Sequence, residues 1–201
     1  ARALLTVELC AGSPRLTANL RRVGFDASAF DQRFNKRNTR APCVVLDLSV
    51  DSSWEVLDQA RTSGRLVFVS GAPPCGTASR AREKPIPESL KREGVPNIKP
   101  LRSDKHPDGL PGLSGTAKAK VEAANAIYRN MAAFMERCVD DGIGVMIENP
   151  SNSHMWNTTW MIALRQKLFE VKFQACMWGG LRPKWTSIRT NVEELKELEV
   201  A

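Results

Sequence analysis

The segment "DSSWEVLDQARTSGRLVFVSGA" at residues 51–72 decides the fold class, because a helix pattern runs directly into a strand pattern. Its first part, 51–64, has a capping residue at its start, Asp or Ser, and Gly64 after its end. Its second part, 65–72, is a strongly β-branched apolar run that is typical of a buried strand. A helix that leads into a buried strand predicts the repeating unit of a parallel α/β sheet.

The same alternation continues on both sides of this segment. Strands that are separated by helices imply a mainly parallel sheet buried on both faces, so we expect an α/β fold with helices on both faces. The predicted strands cover 3–9, 25–31, 43–49, 65–72, 142–149, 170–179 and 186–191, and the predicted helices cover 15–24, 51–64, 117–141, 158–169 and 192–200.

Composition limits the classes of protein that the chain can belong to. With 201 residues, 42% of them apolar and 25% charged, the sequence predicts one globular domain over 1–201. No apolar run is long enough for a membrane span, and the amino terminus lacks a signal-peptide pattern. We therefore expect no membrane partner and an intracellular protein, nuclear if eukaryotic and cytoplasmic if prokaryotic or phage.

The five cysteines and two histidines do not form a metal-binding pattern. The cysteines are widely and irregularly spaced, with no C-x-x-C pair, so we expect reduced thiols and no metal site. Four of them are interpreted as small buried hydrophobes, namely Cys10, Cys43, Cys138 and Cys176.

Positive charge is concentrated in one proline-rich part of the chain. Residues 76–120 hold ten Lys or Arg and five Asp or Glu, which gives this stretch +5 of the total net charge of +7. The irregular connection at 73–116 is long for a loop within a compact domain, and such loops are usually functional or disordered. It is either a solvated loop or a segment that contacts a polyanion such as nucleic acid.

Acidic residues close the first three predicted strands. In doubly wound sheets the ligand binds beyond the carboxyl ends of the strands, where Glu8, Asp31 and Asp47 are expected to lie. Carboxylates there suit a ligand that carries hydroxyls and an amine, and Gly12 in the first turn permits close approach of the backbone. The alternative for Asp47 is a capping or simply solvated carboxylate.

Cys75 differs from the other cysteines in its surroundings. It follows a strand end and opens the basic loop, where cations or a helix N-terminus could lower the pKa of its thiol. Pro73 and Pro74 restrict the backbone ahead of it, so the sulfur is presented at a set position. Glu148 ends another strand and is followed by Asn149, so it could act as an acid toward a substrate ring or, alternatively, cap a turn.

Four motifs in this order resemble those of the cytosine-5 DNA methyltransferase family. The resemblance extends from Val7 to Asn191, and related motifs occur in divergent methylase domains of phages and mobile elements. It implies a Rossmann-like S-adenosylmethionine methyltransferase fold with a single catalytic domain, a basic active-site loop at about 76–116, and no evident target-recognition domain. The motifs are "ELCAGSPRLTANLRRVGFDASAFD", "GAPPCGTAS", "IENP" and "GGLRPKWTSIRTN".

The resemblance also implies residue roles. Cys75 would be the nucleophile that adds to C6 of cytosine, Glu148 would contact N3 and the exocyclic amine, and Asn149 would hold the backbone around both. S-adenosylmethionine would be the cofactor, and DNA would be the partner, with the target base flipped into the pocket. The implied cofactor-binding residues are Glu8, Cys10, Ala11, Gly12, Asp31, Asp47 and Pro73, and the implied DNA-binding residues are Arg80, Arg82, Lys84, Arg182 and Lys184.

Two alternatives to DNA methylation stay open at the level of sequence. Cytosine-5 methylation of RNA uses the same chemistry. A catalytically inactive, nucleic-acid-binding methyltransferase-like domain of a mobile element is favoured by Pro14 and Arg15, which stand where the family's first motif has glycines.

Overall fold

One mixed sheet organises the molecule. The computed structural model describes residues 3–33, 38–94 and 98–199, and within them seven strands form one sheet in the order β3-β2-β1-β4-β5-β7-β6. Neighbouring strands from β3 to β5 are parallel, whereas β7 runs antiparallel to both β5 and β6. The strands are β1 (Leu5–Leu9), β2 (Asp26–Asp31), β3 (Cys43–Val45), β4 (Leu66–Gly71), β5 (Gly144–Pro150), β6 (Phe169–Gln174) and β7 (Trp185–Thr190).

Helices cover both faces of the sheet. The α-helices within the described residues are α1 (Arg15–Arg22), α2 (Ser53–Thr62), α3 (Glu88–Arg92), α4 (Gly115–Asp140) and α5 (Thr159–Leu164). Glu8 of β1 bonds to Thr17 of α1, whereas its neighbours Val7 and Leu9 join the main core with residues of α2 and α4. Because successive strand residues point to opposite faces, α1 lies on the face opposite to α2 and α4.

The main core lies between the sheet and the longest helix, α4. A stripe of fully buried side chains at helical spacing faces the sheet from α4, and Trp54 of α2 packs against Phe134 with ring centroids 5.5 Å apart. At the end of β4, Gly71 brings the strand so close to α4 that a Cβ there would lie 2.7 Å from Met131 Sδ. The buried stripe consists of Val121, Ala124, Tyr128, Met131, Ala132, Phe134, Met135 and Cys138.

The predicted α/β fold with a mainly parallel sheet is confirmed, and several element ends differ. The strand predicted at 43–49 ends at Val45, because the chain turns at Asp47, whose carboxylate accepts hydrogen bonds from Ser49. The helix predicted at 192–200 is a 3-10 segment, Glu193–Leu198, and its last predicted residue lies outside the described part of the chain. The helix predicted at 158–169 stops at Leu164 and continues as a 3-10 turn.

The strand predicted at 170–179 is also shorter, since β6 ends at Gln174 and a 3-10 turn, Ala175–Trp178, follows it.

The connection predicted at 73–116 is not entirely irregular. It contains a 3-10 turn, Arg80–Glu83, and the short helix α3, although residues 95–97 lie outside the described part.

None of the described helices combines the length and the apolar character that crossing a membrane requires. Within the same residues, no group of three or more His, Cys, Asp or Glu side chains is arranged to hold a metal ion.

The order of the strands reverses at the centre of the sheet. From β1 the chain passes to β2 and β3 on one side, and then crosses to β4 and β5 on the other. This reversal makes the carboxyl ends of β1 and β4 a topological switch point, which is where open α/β sheets bind ligands.

Candidate active site

The segments that follow β1, β4 and β5 emerge side by side at the switch point. Leu9 pairs with Gly71, and Gly71 pairs with Ile147, so β1 and β4 end level with Ile147, one residue before Glu148, while β5 continues to Pro150. The backbone N–H of Ala72 also donates to Leu9 O at 3.1 Å, which keeps the two chains together beyond the strands. The predicted cofactor turn, the Cys75 loop and Glu148 are therefore brought to one edge of the sheet.

Cys75 lies in a loop whose backbone is fixed on both sides. Asn149 is fully buried and donates its amide Nδ2 to Pro73 O at 2.9 Å, while Tyr128 donates its hydroxyl to Pro74 O at 2.5 Å. After Cys75 the chain turns sharply, because the N–H groups of Ala78 and Ser79 both donate to Cys75 O, at 3.0 and 2.8 Å. Cys75 as a whole residue is partly exposed.

A buried arginine, which sequence reasoning missed, supports the same loop. Arg102 is only 1% exposed, and its guanidinium donates to Thr77 Oγ1 at 3.0 Å and to Asn125 Oδ1 at 2.8 Å. It also donates to Pro107 O and lies over the Tyr128 ring, 5.3 Å from the centroid. Burial lowers the pKa of Arg102 and raises the pKa of Tyr128 to about 12. The end of the long loop is thereby joined to its beginning and to α4.

Glu148 faces a cation from the neighbouring antiparallel strand. Lys184, directly before β7, donates its ammonium Nζ to Glu148 Oε1 at 3.1 Å. The Glu148 side chain is 30% exposed, so the carboxylate is reachable from the crevice. The sequence pattern placed Glu148 and Lys184 in separate motifs, and the structure brings the two together.

The turn after β1 has an unusual backbone. Cys10 has a φ of 53°, a left-handed conformation that non-glycine residues seldom adopt, and Gly12 follows with a φ of 58°. The N–H of Gly12 donates to Asp31 Oδ2 at 2.7 Å, and Gln32 N donates to Asp31 Oδ1 at the same distance. Burial, with a smaller contribution from Asp31, raises the pKa of Cys10 to about 12, so its thiol stays protonated.

Two other predicted cofactor residues are engaged within the protein. The Glu8 carboxylate accepts hydrogen bonds from Thr17 N at 2.7 Å and Thr17 Oγ1 at 2.6 Å, in the first turn of α1. Asp47 is exposed and closes a local turn through Ser49 N and Oγ, at 2.9 and 2.7 Å. The roles of Glu8 and Asp47 toward a cofactor stay predictions.

The predicted DNA-binding residues fall into two groups. Arg80 and Arg82 hold the loop itself: Arg80 Nε donates to Asn152 O at 3.0 Å, and Arg82 donates to Gly76 O and to Lys99 O, at 2.5 and 2.9 Å. The other three residues are exposed, namely Lys84, Arg182 and Lys184. Contact with nucleic acid stays a prediction for all five residues.

A histidine beside the loop adds a further attachment. His154 is 2% exposed, and its Nε2 lies 2.6 Å from Glu83 Oε1, while its backbone N–H donates to Ala78 O. The hydrogen bond with His154 holds the pKa of Glu83 below its usual value. Glu83 and Asp104 also form ion pairs with Arg80, within the loop. Because His154 lies in the segment after β5, its contacts with Glu83 and Ala78 join the first part of the loop to that segment.

The residues at the switch point fit a nucleoside-containing cofactor. Within the described part of the chain, each oxygen of the Asp31 carboxylate accepts one backbone hydrogen bond, and a carboxylate oxygen has two lone pairs, so a ribose hydroxyl could donate to the second. Among the described residues, no atom lies within 4 Å of the position that a Cβ on Gly12 would take. A nucleoside held by Asp31 and the turn at Cys10–Gly12 would lie next to the Cys75 loop.

Fold and site together define an α/β protein with a Rossmann-like, doubly wound sheet and a thiol–carboxylate pair of motifs at its switch point. No protein-family model matches the chain, and no curated protein matches its sequence. A solved structure of the Entamoeba histolytica methyltransferase EhMeth is similar, with 10% sequence identity and a TM-score of 0.48. The similarity covers 96% of this chain, which spans 54% of that one.

Proposed function

We propose that the protein is an S-adenosylmethionine-dependent methyltransferase that methylates C5 of cytosine in DNA through a covalent bond to Cys75. The observation that carries this proposal is the hydrogen bond from Asn149 Nδ2 to Pro73 O, 2.9 Å long and fully buried. It joins the strand end that bears Glu148 to the loop that bears Cys75. This bond holds the two segments next to each other, which supports the proposal that Cys75 and Glu148 act on the same ring.

Cys75 supplies the activation that cytosine needs. C5 of an aromatic pyrimidine is a poor nucleophile until a group adds across the ring. The Cys75 thiol gives up its proton and its sulfur bonds to C6, so the electron pair of the C5–C6 double bond becomes available at C5. When bound, S-adenosylmethionine supplies the electrophilic methyl group. A water molecule then takes the C5 proton, the electron pair of that C–H bond re-forms the C5–C6 double bond, and the sulfur leaves C6 as the Cys75 thiolate. A C5–H bond has thereby been exchanged for C5–CH3.

Glu148, oriented by Lys184, would stabilise the negative charge that develops on the other side of the ring. Addition at C6 moves negative charge toward N3, where a proton held between N3 and the Glu148 carboxyl would stabilise it. The Lys184 ammonium, 3.1 Å from Glu148 Oε1, keeps that carboxylate oriented. In duplex DNA the target base would have to be flipped out to reach this pocket.

The cofactor would be held on the β1 and β2 side of the crevice. Asp31 would accept hydrogen bonds from the ribose hydroxyls, while the turn at Cys10–Gly12 would pack against the rest of the nucleoside. Asp47, at the next strand end, would face the adenine amine.

The test combines transfer and trapping. Purified protein with tritium-labelled S-adenosylmethionine and DNA should label cytosine, and DNA carrying 5-fluorocytosine should form a covalent adduct, because fluorine cannot leave as a proton. Cys75→Ser should abolish the adduct, whereas Cys176→Ser, which changes an exposed cysteine, should leave both signals intact.

The outcomes separate the alternatives. Labelling of RNA but not of DNA would establish the RNA reaction. An adduct that survives in Cys75→Ser would refute the mechanism. A protein that binds nucleic acid but shows neither label nor adduct, and whose Tm does not rise with S-adenosylmethionine, would be the inactive domain.

A further inference from the structure

The turn between β6 and β7, residues 175–185, presents large apolar side chains to solvent. Within the described residues, the exposed fractions are 59% for Met177, 53% for Trp178, 101% for Leu181 and 52% for Trp185. Exposed tryptophans are costly to leave in water and are typical of surfaces that bind a partner. The turn therefore has the character of a binding surface.

The turn is held in one shape by its own backbone. Ala175 N donates to Lys184 O at 2.9 Å, and Gly180 N donates to Ala175 O at 2.8 Å. A Cβ at Gly180 would lie 2.6 Å from Ala175 O, so the tight closure requires glycine there. Because the turn is closed at its base, the exposed side chains are presented without a large ordering cost on binding.

Charge identifies which end of the turn faces a partner. Residues 175–185 contain Arg182 and Lys184 and no acidic residue. Trp178 lies at the other end, where its indole Nε1 donates to Leu198 O at 3.3 Å beside the acidic segment Glu193–Leu198. The part from Leu181 to Trp185 is therefore apolar and basic, which suits bases and phosphates.

The basic end adjoins the candidate active site. Lys184 contacts Glu148, and Ser151, just after β5, donates its backbone N–H to Trp185 O at 3.1 Å. A strand whose cytosine lies at Glu148 would extend over this end of the turn.

We propose that Leu181–Trp185 binds unpaired bases of a nucleic-acid strand, so that the preferred substrate form is single-stranded or locally unpaired. The Trp185 ring and Leu181 side chain stack on base faces, which are accessible only when the bases are not enclosed in a duplex, while Arg182 contacts phosphate. A second copy of this chain is disfavoured as the partner, since two identical turns would bring two Arg182 guanidinium groups together, while Lys184 is already paired with Glu148. Placing this strand at the cytosine pocket rests on the proposed function, whereas the binding surface does not.

The test is a binding measurement that needs neither cytosine nor cofactor. A fluorescein-labelled oligothymidylate of about twelve nucleotides should bind more tightly than a mixed-sequence duplex of equal length at the same salt concentration. Trp185→Ala should weaken oligothymidylate binding about tenfold, and Trp185→Phe, which keeps an aromatic face, should recover most of the loss. Arg182→Gln should lower the salt slope of log K by about 0.7.

Val23→Ala is the matched control, because Val23 is 71% exposed and follows α1, at the amino-terminal edge of the sheet. It should leave binding unchanged, and the thermal unfolding of all variants should match that of the parent. Tighter binding to the duplex, or equal binding by Trp185→Ala, overturns the proposal. So does a change in sedimentation without a change in oligonucleotide binding, which would identify an interface between copies. Absence of methylation with this binding intact would count only against the proposed function.

Discussion

At the scale of single residues, Arg102 shows how a charge can organise a loop. Its hydrogen-bond acceptors are uncharged oxygens of Thr77, Pro107 and Asn125, and burial excludes water that would otherwise serve them. Hydrogen bonds to a charged donor are stronger than neutral ones, and an acceptor left unpaired in the interior is costly. Arg102 thus fixes Thr77, two residues after Cys75.

We therefore predict that Arg102→Met lowers the free energy of unfolding by about 2–4 kcal/mol, since several buried acceptors lose their donor. Urea denaturation followed by circular dichroism measures this change. Lys84→Met, at an exposed position of the same loop, is the control and should change stability by less than about 0.5 kcal/mol. Equal effects of the two substitutions would contradict the role assigned to Arg102.

The candidate site could be predicted from sequence only where chemistry and strand ends coincide. Cys75 follows one recognisable strand and Glu148 lies near the end of another, so their position at one edge of the sheet follows from parallel topology. Tyr128 and Arg102 carry no such signal: Tyr128 is one more residue of an apolar helix stripe, and Arg102 is one more cation of a basic loop. Their contacts depend on how the loop folds back on α4, which local patterns do not encode.

At the scale of elements, the contact between β4 and α4 sets the height of the Cys75 loop. A Cβ at Gly71 would lie 2.7 Å from Met131 Sδ and 3.0 Å from Met135 Cε, and both methionines are fully buried. The strand end therefore lies against the helix with no room for a methyl group.

Gly71→Ala should accordingly lower the free energy of unfolding by about 1–3 kcal/mol, because the methionines must repack in a closed interior. Gly76→Ala is the matched control: no atom of the described residues lies within 4 Å of its added Cβ, so we expect a change below about 0.5 kcal/mol. Thermal and urea unfolding of the two variants measure the difference. Similar values for both would show that β4 and α4 are less closely packed than described.

Element types followed from the sequence more reliably than element ends. The helix–strand alternation predicted the parallel sheet, because β-branched runs and amphipathic spacing are strong local signals. Strand β3 ends early because Asp47 bonds to Ser49, and the terminal segment is 3-10 rather than α-helical. The early end of β3 depends on a side-chain hydrogen bond that competes with the hydrogen bonds of the sheet. For the 3-10 conformation of the terminal segment the structure offers no single cause.

At the scale of the whole molecule, stability should depend on pH on both sides of neutrality. Burial opposes ionisation of Asp58, but hydrogen bonds from Arg61 and Arg137 hold its pKa below the usual value, and His154 does the same for Glu83. A carboxyl group whose pKa is lowered by folding stabilises the folded state at pH values above its unfolded-state pKa of about 4. This stabilisation is lost as the pH falls further.

The loss of stability at alkaline pH comes from groups whose pKa is raised by folding. Burial raises the pKa of Cys138 from 9.0 to about 12 and that of Tyr128 from 10.0 to about 12. The unfolded chain therefore loses these protons first, and each group lowers stability, by up to about 1.4 kcal/mol per pH unit, as the pH rises through that window.

We predict a stability plateau between about pH 5 and 8.5 with a decline on either side. Urea unfolding across the pH range measures it. Asp58→Asn should reduce the decline in stability at acid pH, and Cys138→Ala should reduce the decline at alkaline pH. The quantity to compare is the slope of the free energy of unfolding against pH, not its absolute value. An alkaline slope that is unchanged in Cys138→Ala would contradict the assignment.

The bond between Glu8 and Thr17 has a consequence for the kind of cofactor that the crevice can accept. In doubly wound sheets that bind dinucleotides, the pyrophosphate rests on the N–H groups at the start of the helix after the first strand. Here the carboxylate of Glu8 already accepts a hydrogen bond from the Thr17 N–H in the first turn of α1. A phosphate brought there would meet the negative charge of Glu8 beside a Thr17 N–H group that is already bonded. If the cofactor binds in this crevice as proposed above, we expect the crevice to discriminate by charge, so that an uncharged or cationic nucleoside binds more tightly than a nucleotide or a dinucleotide.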